Sequence, residues 1–273
     1  MSKLTRTPMY LTAALALLAL HVPIRASVIL TPGTWYSESS LNAGVGIATG
    51  TNSITLTNSG GNTARIGGVS QLNQSVTLDD VGDFIQFVGD YSGSVGNNVN
   101  YSIRVGFFNS TGLNIDTNFD ADMDSLIGYH GDVGTRSTAG AATAVVRQPL
   151  NTSSYVLSLE SATPTANGAS LLGSAVTPIS TGNRTITFRM ERVVGDILEF
   201  SLSDGVNINI TRTQAIASAV TLNYDTVAVG FILANNGSAT FSNIAITTIP
   251  EPASLALFGV GSLLIGWRKR TIV

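Results

Sequence analysis

The sequence predicts an all-β protein: an antiparallel β-sandwich of the jelly-roll type, with an apolar helix at each end of the chain. Polar and apolar residues alternate with a period of two in many short segments between residues 52 and 247, which is the pattern of half-buried strands. Gly, Asn and Asp separate these segments, as they do at turns between antiparallel strands. Between the two ends, TQAIASAV at 213–220 is long enough for two helical turns at most.

The N-terminal segment has the pattern of a secretory signal peptide. A basic stretch up to Arg6 precedes the apolar run MYLTAALALLAL, and Pro23 ends that run. A run of this length inserts into the membrane as a short helix and is then removed by signal peptidase. The small residue Ala26 predicts cleavage before Ser27, so that residues 1–26 are the signal peptide. Retention as an N-terminal anchor is the alternative, because the residue three positions before the cut is larger than usual.

The strongest strand pattern predicts a three-stranded meander between Thr185 and Ile210. Gly195-Asp196 and Asp204-Gly205 are predicted as its two-residue turns, because these residue types tolerate positive φ. The positions predicted to face the core are Ile186, Phe188 and Met190; Leu198, Phe200 and Leu202; and Val206, Ile208 and Ile210.

Similar alternation predicts strands elsewhere in the chain. GNN at 96–98 is predicted as the turn between two of them. In chain order the segments are NSITLTN, DFIQFVGDYSGSV, VNYSIRVGFF, AATAVVR, SYVLSLE, TVAVGFILA and ATFSNIAIT.

One connection, residues 109–140, shows little strand pattern and is predicted to be a long loop. Its Asp-x-Asp-x-Asp run suits oxygen coordination of Ca²⁺. It is not an EF-hand, because Ser125 stands where the sixth position requires Gly and Gly131 where the twelfth requires Glu. A solvated acidic loop without metal is the alternative. The candidate ligands are Asp116, Asp120, Asp122 and Asp124.

The charge of residues 27–249 excludes nucleic acid as a partner. Eight arginines stand against sixteen acidic residues there, so the net charge is about −8. Phosphate contacts require a basic surface. The chain also has no cysteine, which excludes a disulfide framework and thiolate metal sites.

The sequence offers little for catalysis, and we expect no enzyme. His130 is the one histidine after the predicted signal peptide, and beside Asp132 it is expected to be an ordinary solvated loop residue. A glycosidase needs two carboxylates that face one substrate, whereas Glu191 has no second acid two or four residues away.

The C-terminal segment combines three features. Pro250, Glu251 and Pro252 keep the chain extended, and an apolar stretch of 15 residues follows up to Trp267. As a helix this stretch would span about 22 Å, against about 30 Å for the hydrocarbon core of a bilayer. A basic cluster then predicts a cytoplasmic end for this transmembrane helix. The cluster is Arg268, Lys269 and Arg270.

This ordered triple resembles the PEP-CTERM sorting signal of exopolysaccharide-producing Gram-negative bacteria. The resemblance implies that a membrane-embedded exosortase recognises Pro250, Glu251 and Pro252, and that the basic cluster stops transfer. A plain membrane anchor is the alternative. Residues 249–273 are then the sorting segment and 27–248 the sandwich domain, whose segments VTLDDVGDFIQF, YSIRVGFFNSTG and TVAVGFILANNGSATFSNIAITTIPEP resemble concanavalin A-like jelly-roll domains.

These features together predict an exported protein, transiently in the inner membrane and finally on the outer surface or in the extracellular matrix. Its expected role is structural or adhesive, with exopolysaccharide as a partner. The alternatives are a Ca²⁺-dependent carbohydrate-binding module and, third, a polysaccharide hydrolase. Candidate aromatic residues for sugar contacts are Trp35, Tyr36 and Tyr129.

Overall fold

Two antiparallel sheets make up the described part of the protein. The computed structural model describes residues 27–39, 45–59, 64–93, 101–118, 121–135, 142–147, 170–176, 183–206, 208–219, 221–233 and 237–249. Fifteen strands and two short 3-10 turns lie within these ranges. The all-β antiparallel fold predicted from the alternation is therefore confirmed. The predicted signal helix, the predicted transmembrane helix, the strand SYVLSLE and the turn at 96–98 lie outside the described residues.

The first sheet has eight strands. β1 (Val28–Leu30) pairs with the C-terminal end of β15 (Gly237–Thr248), beside β4 (Ser53–Asn58). The other seven follow in spatial order: β13 (Asn209–Ala215), β12 (Ile197–Ser203), β11 (Arg184–Val193), β6 (Phe84–Gly93), β15 (Gly237–Thr248), β4 (Ser53–Asn58) and β3 (Val45–Gly50).

The second sheet has seven strands, and β14 lies near its centre between β5 and β7. The 3-10 turn Ala121–Ser125 precedes β8, and the turn Ile216–Ser218 follows β13. In spatial order the strands are β10 (Ser170–Val176), β9 (Ala142–Arg147), β8 (Ile127–Thr135), β7 (Tyr101–Asn109), β14 (Asn223–Leu233), β5 (Ala64–Thr77) and β2 (Tyr36–Ser39).

The main core lies between the two sheets, because each contributes the apolar face of its alternating strands. Aromatic rings meet across it: Phe107 of the second sheet stacks on Phe188 of the first with 6.1 Å between ring centroids. The ring centroids of Tyr129 and Phe200 also lie across the core from each other, 4.8 Å apart, with the two rings tilted by 51°. Tyr129 and Trp35 are therefore core residues, not candidates for sugar contacts, whereas Tyr36 is half-buried.

The predicted meander is present as β11, β12 and β13, but both of its turns are longer than predicted. Val193 pairs with Ile197, which leaves three residues in the first turn, and Ser203 pairs with Asn209, which leaves five in the second. The expected positive φ angles do occur, at 87° for Gly195 and 75° for Gly205. Of the nine positions predicted to face the core, the prediction for Val206 is wrong.

The prediction of one long loop over residues 109–140 is also wrong, because β8 runs through it. The strand IGYHGDVGT contains three glycines and no regular alternation of apolar and polar residues, so its sequence pattern does not predict a strand. It forms because β7 and β9 pair with its two edges. β5 was missed for a similar reason, since its sequence ARIGGVSQLNQSVT mixes glycines with polar residues.

Candidate functional site

The segment between β7 and β8 folds back over the outer face of the seven-stranded sheet. Asp225 holds the first residue of this segment in place. The backbone N–H and the hydroxyl of Ser110 each donate a hydrogen bond of 2.7 Å to the Asp225 carboxylate. Further along, the Asn118 side chain accepts the N–H of Ser37 at 2.7 Å. Gln71 donates to the carbonyl of Leu113 at 2.9 Å.

Apolar residues of this segment close the outer face of the sheet. Ile115, Met123 and Leu126 are buried against residues of β5, β7 and β14 in a second apolar cluster. A segment held in this way is an ordered layer of the fold. The sheet residues that it covers are Val69, Phe108 and Ala228.

The predicted Ca²⁺ ligands lie on this segment. Asp116 is exposed and accepts a hydrogen bond from Asn114 at 3.1 Å, while Asp122 is half-buried in the 3-10 turn. The backbone of Asp124 lies in the same turn. The Asp124 side chain and the whole of Asp120 are not among the described parts of the structure. Within the described residues, no three His, Cys, Asp or Glu side chains group closely enough to hold a metal ion.

His130 is buried in β8, with 3% of its surface exposed, so the expectation of a solvated loop histidine is wrong. It lies beside Gly106 of β7, where an added Cβ would stand 2.7 Å from that of His130. One row of paired positions therefore crosses the outer face, consisting of Tyr36, Val69, Ala228, Gly106, His130 and Arg147.

The neighbouring row contains Arg104, which is 2% exposed and is the largest fully buried side chain described. In register it stands opposite Gly230 of β14 on one side and Asp132 of β8 on the other. Sequence reasoning missed this arginine, because arginine is usually exposed and nothing in its strand pattern indicates burial.

On the outer face of the eight-stranded sheet, Glu191 stands opposite Glu199 across the β11–β12 pair. The pairing between strands thus places a second acidic residue near Glu191, although no acidic residue lies two or four positions away in the sequence. Glu191 accepts two hydrogen bonds from Arg189, at 2.9 and 2.7 Å. The Arg189 guanidinium also lies 3.6 Å from the centroid of the Phe84 ring. Glu191 is therefore part of a surface ion pair that Phe84 supports.

The end of the chain carries the clearest functional feature. Residues 248–270 match the family model of the PEP-CTERM protein-sorting motif. The C-terminal segment is a PEP-CTERM sorting motif. The motif includes Pro250, Glu251 and Pro252 together with Arg268, Lys269 and Arg270, and it begins one residue before the predicted boundary. The roles of its individual residues, like cleavage between Ala26 and Ser27, stay predictions.

Several solved structures show a distant similarity to this chain. A Bacillus subtilis protein of unknown function with a galectin-like fold is 14% identical, at a TM-score of 0.47, with 83% of this chain and 98% of that chain covered. The lumenal domain of VIP36, bound to Ca²⁺ and Man3GlcNAc, is 11% identical, at 0.46, with 82% and 88% covered. Peanut lectin is 10% identical, at 0.43, with 82% and 96% covered.

No curated protein matches the chain at a significant level. Within the described ranges, no helix is long and apolar enough to cross a membrane.

Proposed function

We propose that this protein is a non-catalytic structural or adhesive component of the cell envelope or exopolysaccharide matrix of a Gram-negative bacterium. The observation that carries the proposal is the sorting motif at residues 248–270. In this proposal residues 1–26 direct export and are removed by signal peptidase. The apolar tail then holds the protein in the inner membrane until an exosortase processes it.

The chemistry of the body supports an extracellular role. It carries few charges, and hydroxyl and amide side chains are its main polar groups. The outer face of the eight-stranded sheet shows this directly, where Thr187 of β11 pairs with Ser203 of β12 and Ser201 pairs with Thr211 of β13. Rows of short polar side chains on a sheet present hydrogen-bonding groups at low entropic cost, which suits contact with a hydrated polysaccharide.

Replacing the three residues of the predicted recognition motif tests the proposal. Pro250→Ala, Glu251→Ala and Pro252→Ala together allow the tail helix to extend through the motif, because the two prolines no longer end it. We expect this variant to stay in the membrane fraction at its unprocessed mass, as the unaltered protein should in a strain without exosortase. The mature protein should begin at Ser27, which mass analysis of protein from native cells measures.

A matched control changes Thr271, Ile272 and Val273 to alanine, because these three residues follow the motif. It should mature normally. Neutralising Arg268, Lys269 and Arg270 should instead release or invert the precursor, since positive charges fix orientation. Normal maturation and surface delivery of the triple-alanine motif variant would show that the tail is an ordinary anchor and would overturn the proposal.

A further inference from the structure

A polar cleft of about 490 Å³ opens at the end of the eight-stranded sheet where β6 ends and β11 begins. Its volume lies within the range of about 300 to 1,000 Å³ that is usual for small-molecule sites. Its walls come from four separate parts of the chain, which are the end of β6, the start of β11, the β12–β13 turn and the middle of β15. It lies on the opposite sheet from the segment that carries the predicted Ca²⁺ ligands.

A bulge in β15 builds one wall of the cleft. The pairing of β15 with β6 shifts register between Ser242 and Ala245, and Asn243 adopts a positive φ of 51°. This conformation directs the Asn243 amide to Asp90, to which it donates a hydrogen bond of 2.8 Å. Bulges commonly re-aim a side chain in this way next to binding sites, and Asn tolerates the left-handed region better than most residues.

Asp90 is held from two sides and keeps acceptor capacity for a ligand. Thr185 donates to its Oδ1 at 2.8 Å, while Asn243 donates to its Oδ2. Hydrogen bonds from Asn243 and then Thr185 lower the pKa of Asp90, which keeps the carboxylate ionised at neutral pH. Each carboxylate oxygen offers two lone-pair positions, so these two bonds leave further positions available to hydroxyl donors.

Arg184 supplies donors on the other side of the cleft. Its Nε lies 3.8 Å from Oδ2 of the fully buried Asp204 side chain, beyond hydrogen-bond distance, and in the described part of the chain that Nε is buried without a hydrogen-bond partner. One of its terminal nitrogens donates to the carbonyl of Asn183 at 3.0 Å. A guanidinium has five N–H donors in a planar fork, so this arginine offers more donors than these contacts use.

The charges of the cleft favour a neutral ligand. One guanidinium lies among the carboxylates of Asp90 and Asp204, so the site has an excess of negative charge that disfavours an anionic ligand. The same guanidinium disfavours a divalent cation because the two charges repel. Ca²⁺ in addition needs six or more oxygen ligands. A neutral ligand with several hydroxyls can donate hydrogen bonds to the carboxylate and accept them from the guanidinium and amide N–H groups of the cleft.

Val206 adds an apolar surface to this polar cleft. It lines the cleft and is 66% exposed, as one of four exposed large aliphatic residues in the described part of the chain. A sugar ring has hydroxyls at its edge and an apolar face of C–H groups, so it fits a site with both properties. We propose that this cleft binds a neutral carbohydrate, with its hydroxyls on Asp90, Asn243 and Arg184 and its C–H face on Val206. This assignment makes the proposed function more specific by naming a ligand class. It rests on that function, because the exopolysaccharide would supply the sugar.

Two pairs of variants test the cleft without disturbing the core. Asn243→Gly removes the amide and keeps a residue that adopts positive φ freely; Thr111→Gly, at φ 55°, is its control outside the cleft. Val206→Ser removes the apolar surface; Val194→Ser, at a 79% exposed position in the β11–β12 turn, is its control. The mature proteins are purified from their own cells and applied to an array of neutral, uronic-acid and sulfated oligosaccharides.

We expect the unaltered protein to retain neutral oligosaccharides in preference to anionic ones. Asn243→Gly and Val206→Ser should each weaken this binding about threefold to tenfold, as expected for loss of one hydrogen bond or one apolar contact, while both controls bind normally. Equal binding by all four variants, retention of anionic glycans alone, or no binding at all would overturn the assignment. If maturation and surface delivery are normal in any of those cases, the proposed function stands and only the cleft assignment fails.

Discussion

The carboxylate of Asp204 accepts a hydrogen bond of 2.7 Å from the backbone N–H of Ile208, four residues further along the chain. The same oxygen accepts the N–H of Val206 at 2.9 Å. Asp204 is fully buried, in the position that continues the inward face of β12 after Leu202. The aspartate thus takes the core-side position and holds the turn around itself, which places Val206 outside.

Asp204→Ala should lower the free energy of unfolding by about 2 to 4 kcal/mol, because the buried N–H of Ile208 and the part-buried N–H of Val206 lose their acceptor. Chemical denaturation at neutral pH measures this. Asp204→Asn, which keeps an acceptor oxygen of the same shape, should cost less. Equal losses from both substitutions would show that the charge, and not the hydrogen-bonding geometry, holds the turn.

The hydroxyl of Tyr91 is buried and has no hydrogen-bond partner in the described part of the protein. Tyr91→Phe should therefore change the free energy of unfolding by less than about 1 kcal/mol, or raise it, since no bond is lost and a polar group leaves the core. Tyr224→Phe is the matched control, because that hydroxyl donates to the carbonyl of Thr221 at 2.9 Å. The control should lose about 1 kcal/mol. A larger loss from Tyr91→Phe than from the control would contradict the prediction.

The two tyrosines also predict how stability depends on alkaline pH. Burial raises the pKa of Tyr91 to about 12, from 10.0 in an exposed tyrosine. Burial, with the neighbouring Tyr129 adding to it, raises that of Tyr224 as well. As the pH rises, the unfolded chain loses these two protons before the folded chain does. The free energy of unfolding should therefore be unaffected by the tyrosines below pH 10 and fall as the pH rises towards 12, by about 1.4 kcal/mol per pH unit and per group. Denaturation curves between pH 9 and 11.5 measure the slope, which Tyr91→Phe should reduce and a neutral substitution at Val194 should not.

Gly128 is required by the close approach of β8 to β7. A Cβ added there would collide with the carbonyl oxygen of Phe107 and stand 2.7 Å from Cα of Phe108, and backbone atoms cannot move aside as a flexible side chain does. Gly128→Ala should therefore cost about 3 kcal/mol or more. Gly112→Ala, where φ is 83° and nothing lies within 4 Å, should cost only about 1 kcal/mol of backbone strain. Similar melting temperatures for the two variants would show that β8 adjusts freely.

The acidic segment is expected to keep its stability without Ca²⁺, because Asp225 and buried apolar residues already fasten it. Addition of millimolar Ca²⁺, or of a chelator, should move the melting temperature by less than about 1 °C, since only a ligand that binds the folded state stabilises it. A clear rise with Ca²⁺ that disappears in Asp122→Asn would establish a metal site there. Asn114→Asp, which adds a carboxylate nearby, would then strengthen the rise.

The sequence by itself determined the all-β class of the fold and the presence of the sorting motif. Alternation in β6, β11, β12 and β15 is a local property, because each strand carries its own buried face, and most of the predicted inward positions are buried. The sorting motif is local as well, since residues 248–270 lie in one continuous segment and can be recognised without any tertiary contact.

Only the tertiary structure decided the rest. β8 is a strand because β7 and β9 pair with its edges, and Arg104 and His130 are buried although their local sequence does not indicate burial. The cleft joins Asp90, Arg184, Asp204 and Asn243, which come from four distant parts of the chain. Their meeting depends on strand order, register and one bulge, and these follow from pairing between strands that no local pattern specifies.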